Sequence, residues 1–256
     1  VDDARHAAQA RSFDRAAGVY ARARPSYPPA ALDWLLPPEA RRVLDLGAGT
    51  GKLTALLAGR GLDVVAVEPS DRMRAQLAGQ LPQIPALAGS AEAIPLPDGA
   101  VDAVLVAQAW HWVDPGRAVP EVARVLRPGG RLGLVWNRRD ERQPWVAAFT
   151  AILAGGAGPS ADADRPEIGP PFGAPERFDT PVWHHELTPE GLVELAASRS
   201  YIITLEEPER LRLLDRVREL AAHHPDLVGR PAFAMPYFTE CVRADLEDSL
   251  TPAGSG

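Results

Sequence analysis

Cysteine occurs once in 256 residues, at Cys241. A single thiol closes no internal disulfide and builds no cysteine-based zinc cluster, so Cys241 reads as a small buried apolar residue. Positive charge is also short. The formal net charge of −7 argues against a surface made for nucleic acid or anionic membrane. No apolar run reaches the roughly 20 residues of a membrane span. The first twenty residues carry charges where a signal peptide would be apolar. The expectation is a soluble, cytoplasmic chain with no nucleic-acid or membrane partner. Monomer and homodimer stay equally open. Histidine pairs at 184–185 and 223–224 are adjacent rather than four apart, so no metal site is expected.

The remaining composition is ordinary, with 46% hydrophobic and 24% charged residues, and the length suits one α/β domain covering residues 1–256. The pattern is organised around residues 43–54. Val43, Leu44 and Leu46 form a short apolar run, read as a buried strand and punctuated by Asp45. Gly47, Gly49 and Gly51 follow, and then the helical pattern Leu53, Leu56, Leu57. Strand, glycine turn and helix make the layout of a nucleotide-type site, where bare backbone and a helix N-terminus meet the ligand. A dinucleotide fingerprint would need glycine where Lys52 stands. A phosphate loop would need one more residue before Gly51-Lys52 and a hydroxyl where Leu53 stands. The run that fits is D-x-G-x-G-x-G.

Before it, residues 12–36 read as an N-terminal arm, with Tyr20, Arg24 and Tyr27 among prolines 25, 28 and 29 that stop a helix. This arm either packs its aromatics on the domain or closes as a flap. A short helix is expected at 30–36. Strands are expected at 42–46, 63–68, 86–88, 101–107 and 131–136, alternating with helices at 51–59, 72–79 and 115–126. Such alternation implies right-handed crossovers and a parallel sheet. Glu68 ends the second strand, and the Gln108-Ala-Trp-His-Trp112 run ends the fourth. Both lie where ligands bind in open sheets. Residues 138–181 read as a lid or insertion: a helix near 145–153, then a Gly/Pro/Asp-rich loop over 155–181. A strand at 182–187 and helices at 189–198 and 208–223 follow. Residues 232–244 suggest a last strand interrupted by Pro236, as at an edge or bulge.

Taken together, these pieces resemble a class I S-adenosylmethionine-dependent methyltransferase of the methyltransferase domain 11 kind, similar to the trans-aconitate methyltransferase-like group. The carriers are Tyr20…Arg24-Pro-Ser-Tyr27-Pro, Asp45 to Gly51, Glu68-Pro-Ser70, Ala91-Glu92…Leu96-Pro97, Gln108 to Trp112 and Leu126-Arg-Pro-Gly-Gly130. The resemblance implies a Rossmann-like three-layer α/β sandwich. Its sheet would have seven strands, mostly parallel, with an antiparallel last strand inserted between strands five and six. It implies S-adenosyl-L-methionine as cofactor. Asp45, Gly47, Ala48, Gly49, Thr50 and Gly51 would hold its methionine part. Glu68 with Pro69 would take the ribose, Met73, Ala91 and Glu92 the adenine, the Gln108 backbone the amino group, Arg24 the carboxylate, and Tyr20 would line the pocket.

The acceptor is expected to be a small molecule, a carboxylate or a hydroxyl, with Tyr27, Trp110, Trp112, Trp136, Arg139 and Tyr201 in its pocket. His111 is the candidate base if a proton must be removed, or else a histidine fixed by packing between Trp110 and Trp112. Arg138 and Arg139 either steer an anionic acceptor or are surface arginines. Two other functions stay open: a non-catalytic S-adenosylmethionine-binding protein of the same fold, and an NAD-dependent oxidoreductase.

Overall fold

The computed structural model describes residues 24–155 and 166–247. Tyr20 and the first part of the arm lie outside them. Strands β1 (Arg42–Leu46), β2 (Asp63–Val67), β3 (Ala86–Leu87), β4 (Val101–Ala107), β5 (Leu126–Arg139), β6 (Glu176–Asp179) and β8 (Phe233–Asp245) make one sheet in the order β3-β2-β1-β4-β5-β8-β6. β7 (Trp183–Leu187) pairs with β8 off that path. The first five strands run parallel. Four of five residues in β1 and in β2 are buried, the pattern of strands covered on both faces. Helices α1 (Pro29–Leu35), α2 (Lys52–Gly59), α3 (Asp71–Gln80) and α4 (Pro115–Val125) precede or connect them. The fold is thus the expected mostly parallel α/β sheet with antiparallel members.

The sheet has eight strands rather than seven, because Glu176–Asp179 is strand and not loop. It pairs antiparallel with β8, Glu176 opposite Arg243 and Asp179 opposite Glu240. Its pattern is exposed, exposed, half-buried, exposed, so no apolar run betrays it; the partner's backbone makes it a strand. β8 is the inserted last strand, but it is not interrupted at Pro236. That residue faces His184 across the β7 pairing, and its carbonyl accepts from the Asp140 N–H at 2.9 Å. A proline lacks only the donor, and its acceptor keeps the ladder. β5 also runs longer than its apolar core suggested, beginning at Leu126 and ending at Arg139.

The chain folds as two compact units. A sheet unit comprises, of the described residues, 27–136, 166–180 and 240–247. On one face Leu44, Leu46, Val65, Val104, Leu132, Trp110 and Trp136 share a core with Val119, Val122 and Val125 of α4. On the other, Leu32 and Leu35 of α1 and Leu53 and Leu57 of α2 cover Val43, Val64, Leu105 and Cys241. Cys241 is fully buried there, and burial, with Asp179 and Glu240 next in effect, pushes its thiol up to about 12.

A helical unit comprises, of the described residues, 24–26, 137–155 and 181–239. There α5 (Pro144–Ala154), α6 (Pro189–Ala197), α7 (Ser200–Ile203) and α8 (Glu207–His223) pack around Phe149, Leu192, Leu195, Val217 and Tyr237. Pro at the first turn starts α5 and α6, and the Thr188 hydroxyl accepts from Gly191 N–H to cap α6. No described helix is long and apolar enough to cross a membrane.

Candidate active site

The order β3-β2-β1-β4-β5 reverses direction between β1 and β4, so the loops leaving those two strands diverge and open a crevice at their carboxyl ends. Those loops are Gly47–Gly51 and Gln108–Trp112. They approach closely: a methyl group added at Gly47, where φ is +72°, would stand 3.0 Å from the Ala109 Cβ. At Gly51, with φ +89°, it would stand 2.9 Å from the Leu77 side chain of α3. Only glycine takes both the left-handed conformation and the contact. Gln108 is the one non-glycine residue with positive φ among the described residues, at 59°. Such backbone strain gathers where a loop is held for a ligand. Gln108 N–H stays tied to the Val135 carbonyl at 2.9 Å.

Glu68 fastens the glycine turn. Its carboxylate accepts from Gly49 N–H at 2.8 Å and from Ser70 N–H at 2.9 Å. Ser70 in turn caps α3 by accepting from Met73 N–H, and the Met73 sulfur lies 3.8 Å from where a Gly49 Cβ would stand. Glu68, Gly49 and Met73 therefore meet, although Gly49 lies about twenty residues from the other two in sequence. Ala48 is buried and Pro69 exposed, its carbonyl taking a bond from Arg74. Thr50 is buried, and its hydroxyl has no hydrogen-bond partner among the described residues.

Asp45 is fully buried at the end of β1. Its Oδ2 accepts from the Thr54 hydroxyl at 2.6 Å, while Oδ1 has no partner among the described residues. Burial, against the Thr54 hydrogen bond and with the Glu68 charge adding to it, pushes this carboxyl up to about 7. Two carboxylates and an unpartnered hydroxyl at the crevice form an acceptor-rich donor set. That set suits a cationic ligand bearing hydroxyls and no phosphate.

Ala91 is buried in the core and Glu92 is half-buried, accepting from Asp114 N–H at 3.0 Å. A feature invisible in the sequence holds the loop after them. Arg124 of α4 donates to the carbonyls of Ile94 and Leu96 and to Asp98, and forms a two-pronged pair with Glu121 at 2.8 Å on each prong. Glu121 also accepts from Ile94 N–H. The Arg124 bonds, then that N–H, hold Glu121 down at about 2. The spacing of Glu121 and Arg124 on one helix face was readable; their reach back to the loop holding Ile94, Leu96 and Asp98 was not.

The expected acceptor-side residues divide. Trp110 and Trp136 are buried in the sheet unit's core, so neither is an open pocket wall. Trp110 keeps a buried indole N–H with no partner among the described residues. His111 is exposed, and its ring rests on Trp112, 4.5 Å between centroids. A 3₁₀ turn over 110–112 turns Trp110 inward and leaves His111 exposed beside Trp112. Tyr27 is half-buried against the α1 side of the sheet.

Arg24, Arg139 and Tyr201 belong to the helical unit. Arg24 donates to the Ser198 hydroxyl at 3.0 Å and to the Ser198 carbonyl. Arg139 is half-buried rather than a surface arginine. It donates to Thr150 at 3.1 Å and lies over the Phe149 ring. Tyr201 packs at the margin of that unit's core.

Comparison with known proteins agrees with this geometry. A family model described as a methyltransferase domain matches residues 44–134, the span from β1 to β5. An uncharacterized methyltransferase of Mycobacterium tuberculosis is 59% identical over 92% of this chain and 96% of its own length. An uncharacterized methyltransferase-like protein of Schizosaccharomyces pombe is 34% identical over 93% and 96%. A solved structure from Anaeromyxobacter dehalogenans, provisionally described as a type II methyltransferase, superposes with a TM-score of 0.61 at 25% identity. It covers 86% of this chain and 97% of that one.

Proposed function

The chain belongs to the S-adenosylmethionine-dependent methyltransferases, and from that premise we propose that it methylates a small-molecule acceptor with the roles set out below. The observation that carries this reading is the glycine turn fastened to Glu68 beside a buried Asp45. Phosphate-binding proteins offer N–H groups and a lysine to an anion; this crevice offers carboxylates. The cofactor, when bound, supplies an electrophilic methyl group on a positively charged sulfur.

The residues then divide the work. The Gly47–Gly51 turn, held by the Glu68–Gly49 bond, offers backbone to the methionine part. Glu68, whose carboxylate can take about four hydrogen bonds, receives ribose hydroxyls. Met73 and Ala91 border the base, and the Arg124–Glu121 clamp keeps the 92–98 loop in place. Gln108, held at positive φ, presents its backbone. Asp45 supplies a negative charge that a cationic ligand draws out by favouring ionisation. Approach, alignment and the exclusion of water supply the rate. A carboxylate acceptor needs no base. For a hydroxyl acceptor, His111 is the exposed group placed past a strand end to take the proton.

The test is calorimetric titration of the protein with S-adenosylmethionine and S-adenosylhomocysteine, with NADH as the comparison. Saturable binding of the first two and none of the third supports the reading. Binding of NADH alone refutes it. Release of S-adenosylhomocysteine with any acceptor separates an enzyme from a binding protein of the same fold.

A further inference from the structure

The helical unit holds a charge that no described residue balances. Arg199 sits between α6 and α7, and its side chain makes no hydrogen bond or ion pair among the described residues. Its Nε is buried without a partner. The charged groups near enough to act on it are two more guanidiniums, Arg24 and Arg139, followed by the phenols of Tyr237 and Tyr201. Burial first, then those two like charges, disfavour its charged form. An arginine stays protonated regardless.

Tyr237 is 1% exposed and stacks on Trp183, and its hydroxyl has no hydrogen-bond partner among the described residues. A bland account would satisfy Arg199 with the carbonyls that end α6. Several of those already accept elsewhere, Ser198 O from Arg24, Leu195 O from the Ser198 hydroxyl and Ala196 O from the Arg199 N–H, and none accepts from the Arg199 side chain among the described residues. Arg139 gives its Nε to Thr150. Arg199 is half-buried with its Nε closed off from water, and the Tyr237 hydroxyl beside it is closed off entirely. A polar atom left unpartnered in such a place is costly, and perturbed charges gathered together point to a ligand site.

We propose that Arg199, with Arg24, Arg139 and the Tyr237 hydroxyl, binds the carboxylate of a small molecule. A guanidinium fork matches a planar carboxylate in two parallel bonds. The carbonyl end of α6 is electronegative, which suits a singly charged carboxylate better than a dianionic phosphate. The site lies wholly within one unit; it takes up Arg24 and Arg139, which the family resemblance gave to the cofactor's carboxylate and to the acceptor's pocket.

The experiment titrates the full chain with acetate, succinate, inorganic phosphate and chloride at constant ionic strength. Thermal midpoint and binding heat are followed in the wild type, Tyr237→Phe and Arg139→Gln. The expected result is a saturable rise with a carboxylate and none with chloride, with affinity about tenfold weaker in each variant. Tyr237→Phe is the sharper arm, because a hydroxyl with only a structural role would leave carboxylate affinity unchanged. Absence of saturable binding, binding of phosphate without carboxylate, an equal response to chloride, or undiminished affinity in both variants would each overturn the proposal. Titration of the same samples with S-adenosylmethionine reports the methyltransferase reading separately.

Discussion

Replacing Asp45 with asparagine isolates the most perturbed carboxyl at the site. The group is fully buried, and its pKa rises from 3.8 to about 7. Between those values the folded state binds a proton that the unfolded state has released. Stability therefore falls as pH rises through this window. The contribution is fully present below 3.8 and gone above 7. A rise of about three pH units, at 1.36 kcal/mol each, makes the loss about 4 kcal/mol. That is a large share of the roughly 5–15 kcal/mol by which domains are stable.

The asparagine side chain would keep an acceptor for the Thr54 hydroxyl and carry no titrating proton. Urea denaturation of the ligand-free protein from about pH 4 to pH 8.5 should then show Asp45→Asn gaining about 4 kcal/mol on the wild type across the range. The same reasoning fixes the sign for the cofactor. A cation favours the ionised carboxyl, so wild-type affinity for S-adenosylmethionine rises with pH up to about 7 and binding releases a proton near pH 6. Calorimetry in two buffers of different ionisation enthalpy measures that proton, and Asp45→Asn should release none. Parallel stability curves for the two proteins would refute the argument.

Three more outcomes follow from the same geometry. Glu68→Gln keeps one of two backbone bonds and turns an amide toward the other N–H, so cofactor affinity should fall about 10- to 100-fold by calorimetry, with stability down by about 1–3 kcal/mol; unchanged affinity would remove Glu68 from the site. Gly47→Ala meets the Ala109 Cβ at 3.0 Å in a left-handed backbone, and should cost at least about 1–2 kcal/mol in denaturation while weakening the cofactor. Glu121 is held at about 2 against an ordinary 4.5, so its contribution is present above 4.5 and lost as pH falls toward 2. Glu121→Gln should lose less stability than the wild type over that acid window, and an equal loss would mean that the Arg124 clamp carries no weight.

The turn after β1 was legible because its chemistry is local. Gly47, Gly49 and Gly51 must be glycine for reasons of their own backbone and nearest contacts, and an acid at each of two strand ends shows in the order of residues. Period and punctuation likewise placed β1, β2 and β4 to within a residue or so. Strand β6 was not legible, since Glu-Arg-Phe-Asp carries no apolar alternation and becomes strand only through the backbone of β8. Trp110 and His111 show the same limit, because adjacent residues were sent to opposite fates by a single 3₁₀ turn.

Sequence alone, then, determined the sheet's parallel half and the glycine turn that closes its first strand, because strand burial and glycine conformation act over a few residues. Tertiary structure alone decided that Arg24, Arg139, Arg199 and Tyr237 share one neighbourhood. They come from four separate places in the chain, and whether a charge is balanced depends on everything folded around it.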